Sequence, residues 1–156
     1  MELYFLRHGI AEDAGPAGTG DAGRRLTKEG IAKMRAEARG LRRLGVSIDT
    51  LLSSPLVRAH ETAEIVAKEL GVELQLADAL APGCDAQRLF DLLGEHRAAE
   101  RVMVVGHEPD FSAMIGALTG GSRVQLKKGG LARVDMEVLE PGAATLVWLL
   151  PPKVLR

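Results

Sequence analysis

Leu3-Tyr4-Phe5-Leu6-Arg7-His8-Gly9 begins as an unbroken apolar run and ends in a cation, an imidazole and a glycine. Four successive apolar residues closed by a turn signal read as a strand buried on both faces. Strands of that kind belong to parallel sheets covered by helices on either side. Val102-Met103-Val104-Val105-Gly106-His107 has the same form and is the clearest buried strand in the chain. Asp49–Leu52 and Val72–Leu76 read as two further short strands.

Helical patterns fill the intervals. Thr27 predicts a helix cap, Ile31, Met34, Ala38 and Leu41 then share one face, and Gly45 stops the helix. Ser54-Pro55 predicts a second start, a capping hydroxyl followed by proline at the first helical position, with Gly71 as terminator after Leu70. Asp85 opens a third helix carrying Leu89, Phe90, Leu92 and Leu93. Pro109-Asp110 opens a fourth with Phe111, Met114, Ile115 and Leu118 as its apolar face. Leu131–Val138 and Thr145–Leu150 read as late strands in a hairpin around Glu140-Pro141-Gly142. Residues 10–25, rich in Gly, Ala and Asp, read as a long loop. Strands alternating with helices predict an α/β fold, a three-layer α/β/α sandwich with a mostly parallel central sheet. Neither a repeat nor a linker divides residues 1–156, which predicts a single domain.

The net charge of −1 provides no overall field for nucleic acid or a membrane surface, so recognition of a charged substrate must come from a local cluster. The lone Cys84 excludes an internal disulfide and suits a reducing compartment. The N-terminus lacks a basic n-region, and no apolar run reaches membrane-spanning length. A cytoplasmic monomer is expected.

Ligands of open α/β sheets bind beyond the carboxyl ends of the strands. Arg7-His8-Gly9, Ser53-Ser54-Pro55-Leu56-Val57-Arg58 and Gly106-His107-Glu108-Pro109 all stand just past strand ends. They predict His8, His107, Arg7 and Arg58 at one edge. A neutral imidazole is a competent nucleophile near pH 7. An arginine fork fits phosphate oxygens, and a first-turn Arg58 would add the helix dipole. Gly9 would let the backbone approach an anion closely.

Leu6-Arg7-His8-Gly9, Ser53-Ser54-Pro55 with Arg58, Ala59 and Thr62, and Gly106-His107 together resemble the motifs of the histidine phosphatase superfamily, the phosphoglycerate mutase-like proteins. The short length, Leu26-Thr27 with Gly30, Leu80-Ala81-Pro82 and His107 with Pro109 are similar to its SixA-type phosphohistidine phosphatase branch. The resemblance implies a metal-independent phosphatase without cofactor. His8 would be the nucleophile, forming a phosphohistidine intermediate, and Arg7, Arg58 and His107 would hold the phosphoryl oxygens. Arg24 matches a further phosphate-facing arginine of that branch.

Mutases and many phosphomonoesterases of the superfamily carry a carboxylic acid after the third strand to protonate an alkoxide. Here Ala79 stands at the matching place with Asp78 beside it. Asp78, Glu108 and Asp110 are the remaining candidates for a general acid. An imidazole leaving group needs that proton far less than an alkoxide does. The expected substrate is therefore a phosphohistidine protein, such as a histidine phosphotransfer domain, admitted by an open site. The alternatives are a small-molecule phosphomonoesterase of the same superfamily and a non-catalytic phospho-binding module. His60 and His96 read as surface residues, and Lys127-Lys128-Gly129-Gly130 as a solvated turn or a substrate rim. Metal ligation by His8, His107 and a carboxylate is disfavoured by the nearby arginines.

Overall fold

The structure is a computed structural model describing residues 1–156. Six strands form one sheet: β1 (Glu2–Arg7), β2 (Thr50–Ser53), β3 (Leu74–Leu76), β4 (Arg101–Gly106), β5 (Leu131–Asp135) and β6 (Thr145–Leu150), in the order β3-β2-β4-β1-β5-β6. β1, β2, β3 and β4 run parallel, whereas β5 joins β1 and β6 joins β5 antiparallel. The helices are α1 (Lys28–Arg43), α2 (Val57–Leu70), α3 (Ala86–Glu95), α4 (Asp110–Leu118) and the short α5 (Pro152–Leu155). No helix is long and apolar enough to cross a membrane.

The period of two along each central strand divides the interior into two cores. Leu3 and Phe5 of β1, Val102 and Val104 of β4 and Leu52 of β2 pack with Leu89 and Leu93 of α3 and Phe111 and Ile115 of α4. The intervening Tyr4, Leu6, Met103, Val105 and Leu51 pack with Met34, Ala38 and Leu41 of α1 and Ala59, Ala63 and Val66 of α2. This is the three-layer sandwich expected from the runs of apolar residues. Phe5 meets Phe111 edge to face at 5.1 Å, which anchors α4 close behind the end of β4.

Thr27 and Asp85 cap α1 and α3 as their positions predict, accepting the amides of Gly30 and Arg88. Two boundaries differ from expectation. α2 starts at Val57 rather than Pro55, because Ser54 Oγ, at 3.3 Å from the Leu56 amide, serves a turn and faces His107 instead of capping a helix. β5 stops at Asp135, short of Val138, because Met136 closes a pair of backbone hydrogen bonds with Met1 and the chain then leaves the sheet.

Candidate active site

The parallel strands bring three chain segments to one sheet edge. The His8 amide donates to Gly106 O at 3.1 Å and the Ser54 amide to Val105 O at 2.9 Å, so the residues following β1, β2 and β4 are tied side by side. His8, Arg58 and His107 are all buried there, and the two imidazole rings lie 5.3 Å apart.

His8 is fixed at both nitrogens. Its Nδ1 lies 2.7 Å from Gly9 O, an oxygen that can only accept, so Nδ1 carries the hydrogen. Nε2 is then the lone-pair nitrogen, and Arg58 Nε–H donates to it at 3.2 Å. Burial first, then His107, Arg58 and Arg7, push the His8 pKa down to about 3 against the opposing effect of the Gly9 hydrogen bond. His8 is thus a neutral imidazole of defined tautomer with its free electron pair directed at a guanidinium.

His107 meets Ser54 Oγ through Nε2 at 2.7 Å, while its Nδ1 is buried with no hydrogen-bond partner. Burial, then Arg58 and Arg7, lower its pKa to about 4, with the Asp21 carboxylate opposing. Arg7 donates from Nη1 to Leu126 O at 2.9 Å, and its buried Nε is likewise unpartnered. Burial lowers the Arg7 pKa, and the charge of Glu108 offsets part of that. The site therefore contains two buried side-chain nitrogens not committed to the protein, Arg7 Nε and His107 Nδ1. A buried polar atom without a partner calls for an explanation, and a bound anion would supply one for both.

Asp21, in the single 3₁₀ turn Asp21–Gly23 of the long loop, was invisible to sequence reasoning. Its carbonyl accepts from Arg58 Nη1 at 2.9 Å and its Oδ2 from Arg58 Nη2 at 3.0 Å. A carboxylate so placed occupies the anion-binding fork of Arg58. Arg24 first, and Arg58 as well, hold the Asp21 carboxyl below the usual range, so it stands as an anion and not as a proton donor. Ser54 is the other missed residue: its place before Pro55 predicts a helix cap, whereas its hydroxyl faces His107.

Several expected site residues take other places. Arg24 does not reach His8: its Nε donates to Glu12 O at 2.6 Å and its Nη1 to Asp21 Oδ1 at 2.9 Å, so it touches the site only through Asp21. The Gly9 amide is committed to Thr62 Oγ1 at 3.1 Å rather than available to an anion. Glycine is needed there because a Cβ would lie 2.6 Å from Met34 Cγ. Asp78 is exposed and lines a separate surface cavity with Arg88, Asp91 and Glu95. Glu108 accepts from the Ser112 amide at 3.1 Å and from Ser112 Oγ at 2.5 Å, which makes it a cap of α4 standing near Arg7. Asp110 accepts from the Gly83 amide at 2.8 Å. His60 pairs with Glu64 on α2 and His96 ends α3, both away from the sheet edge.

The segment before β5 braces the nucleophile's backbone. Gly129 N donates to Arg7 O and His8 O at 3.1 and 3.2 Å, and Arg7 N donates to Gly130 O at 3.1 Å. Gly129 has φ +77°, and a Cβ there would sit 2.3 Å from Glu37 Oε2. Glu37 is itself buried on α1, with Oε2 unpartnered and Oε1 3.5 Å from Arg156 Nε. Burial pushes its pKa up to about 7, with Arg156 and Lys33 opposing.

Residues 3–81 match the model of the histidine phosphatase superfamily (branch 1). The chain is 40% identical over 138 residues to an uncharacterized protein of Picosynechococcus sp., covering 84% of this chain and 82% of that one. It is 28% identical to the phosphohistidine phosphatase SixA of Escherichia coli K12 over all of this chain and 97% of the relative. A solved structure of the protein histidine phosphatase SixA complexed with tungstate superposes with a TM-score of 0.87 at 27% identity, covering 100% of both chains.

Proposed function

The chain belongs to the histidine phosphatase superfamily (branch 1), and on that premise we propose that it dephosphorylates a phosphohistidine side chain on a protein through a covalent intermediate at His8. The observation that carries this reading is the pairing of a neutral Nε2 on His8 with two uncommitted buried nitrogens, Arg7 Nε and His107 Nδ1, around the Arg58 guanidinium.

In the first half-reaction the substrate's phosphoimidazole is protonated at its second ring nitrogen; the Nε2 electron pair of His8 attacks phosphorus, the bond from phosphorus to the substrate nitrogen breaks, and its electron pair stays with the substrate ring, which departs as a neutral imidazole. The equatorial oxygens carry charge in the transition state. Arg7, Arg58 and His107 are the groups to receive them, as fixed donors requiring no reorganisation. His107 Nε2 lies 2.7 Å from Ser54 Oγ; in the tautomer in which that hydroxyl donates, the hydrogen of His107 sits on Nδ1, where it serves an oxygen. In the second half-reaction water attacks the phosphorus of phospho-His8, the P–Nε2 bond breaks, and inorganic phosphate and the original His8 tautomer are recovered. The incoming phosphoryl group replaces the Asp21 carboxylate on the Arg58 fork.

The choice of a nitrogen leaving group rests on the carboxylates. Asp21 is held ionised, Asp78 is remote, and Glu108 is engaged at both oxygens by Ser112. No carboxyl group is set to protonate an alkoxide, whereas a phosphoimidazole brings its own proton on the second ring nitrogen and departs as a neutral imidazole without that help. The test compares turnover of a phosphohistidine-bearing phosphotransfer domain, phosphoramidate and a panel of sugar phosphates by wild type and His8→Ala. Faster turnover of the first two, with an acid-labile phosphoryl adduct trapped on wild type only, supports the reading. Turnover confined to sugar phosphates would instead identify a small-molecule phosphomonoesterase.

A further inference from the structure

Lys127 and Lys128 stand in the segment that holds the nucleophile's backbone, yet the reaction described above makes no use of them. Leu126 O, immediately before Lys127, fixes the Arg7 guanidinium at 2.9 Å. Gly129 and Gly130, immediately after Lys128, bond the backbone of Arg7 and His8. These three residues leave the two lysines projecting from a backbone fixed to Arg7 and His8 rather than from a free loop.

The same segment closes one side of a cavity of about 370 Å³. Arg7, Gly9, Lys33, Lys127, Lys128 and Arg156 are among its lining residues. That volume falls within the range of about 300–1,000 Å³ common for small ligand sites. Its charge is one-sided. The single carboxylate in the lining, Glu37, is spoken for by Arg156, and Lys33 is paired with Glu29. Neither Arg7, Lys127 nor Lys128 has a carboxylate within 4.0 Å. In a chain whose net charge is only −1, these three unpaired cations form a local cationic receptor for an anion, in a cavity lined by Arg7 and Gly9, the residues on either side of the nucleophile in the chain.

We propose that Lys127 and Lys128, with Arg7, form a cationic subsite that takes a second anionic group of the substrate, an aspartate or glutamate side chain flanking the phosphohistidine. The proposal rests on the phosphatase reading above and narrows its substrate class to phosphohistidines in an acidic setting. Lysine ammonium groups are donors only, so a neutral or basic flank gains nothing there. Because both lysines are exposed, the gain is modest and screened by salt.

Two phosphohistidine peptides that differ only in carrying Asp or Asn beside the phosphorylated residue provide the test. The readout is the ratio of their kcat/KM values. For wild type at low ionic strength the ratio is expected at about fivefold in favour of Asp, expressed in KM, and falling towards one in high salt. In K127Q/K128Q it is expected near one, and K127R/K128R restores it. A ratio near one for wild type, or a preference that survives in K127Q/K128Q, overturns the subsite. Phosphoramidate carries no second anion and reports on the underlying reading alone. Its turnover alongside a wild-type ratio of one removes only the subsite; absence of turnover of phosphoramidate and both peptides removes the phosphatase reading and the subsite with it.

Discussion

Replacing Glu37 by glutamine should stabilise the protein at alkaline pH and leave it nearly unchanged at acidic pH. Glu37 is 2% exposed, its Oε2 has no partner, and its pKa rises from 4.5 to about 7. The folded protein therefore holds the Glu37 proton more tightly than the unfolded chain does. Stability attached to this proton is complete below pH 4.5, falls as pH rises, and is lost above the folded value near pH 7. At about 1.36 kcal/mol per pH unit the loss amounts to ~3 kcal/mol by pH 8. Glutamine has the same shape and no charge to bury, so it escapes this loss. Urea unfolding of both proteins at pH 5 and pH 8 measures it, because His8 and His107 also titrate anomalously but cancel between wild type and variant. The stabilising effect of Glu37→Gln should be larger at pH 8 than at pH 5 by about 2–3 kcal/mol. Equal effects at both pH values would refute the claim that burial governs this carboxyl.

Other expectations follow from the site. Arg58→Lys removes the planar fork while keeping the charge, and should lower kcat/KM by about 10- to 150-fold for each charge-assisted hydrogen bond lost, with the fold intact by circular dichroism. Asp21→Asn weakens the internal competitor for Arg58 and should tighten vanadate inhibition several-fold; unchanged or weaker inhibition would show that Asp21 positions Arg58 rather than competing for it. Proton NMR of the imidazoles between pH 5 and 8 should show neither His8 nor His107 titrating, since burial depresses them to about 3 and 4; a midpoint near 6.5 for either contradicts that burial. Both depressed values also mean that the unfolded chain takes up the extra protons on acidification, so each histidine removes about 2 kcal/mol of stability between pH 8 and pH 5.

The central strands were legible because burial on both faces leaves a continuous apolar run, as in Leu3–Leu6 and Val102–Val105. The gathering of Arg7, His8, Arg58 and His107 at one sheet edge was legible as well, because strand ends in a parallel sheet place their following residues together. What escaped was set by contacts without a sequence period. Asp21 lies in a Gly- and Asp-rich loop where any of several polar residues looks equivalent, and only the folded loop chooses the one that meets Arg58. Ser54 carried a strong local cap pattern, yet the buried His107 outbid the helix for its hydroxyl. Arg24 matched a motif by position while its guanidinium found nearer acceptors in Glu12 O and Asp21. Gly9 follows the nucleophile as a glycine for anion approach would, whereas the tight contact it permits is with Met34.

The strand order has a consequence for how the enzyme comes into being. β1 precedes the other five strands in the chain but pairs with β4 and β5, not with β2. Arg7 and His8 thus wait for residues 101–135 before their backbone gains lasting partners. A nascent chain, or a fragment cut before Gly129, would hold the reactive histidine without the scaffold that orients it. Long-range closure of this kind slows folding. Catalytic competence is consequently among the last properties the polypeptide acquires.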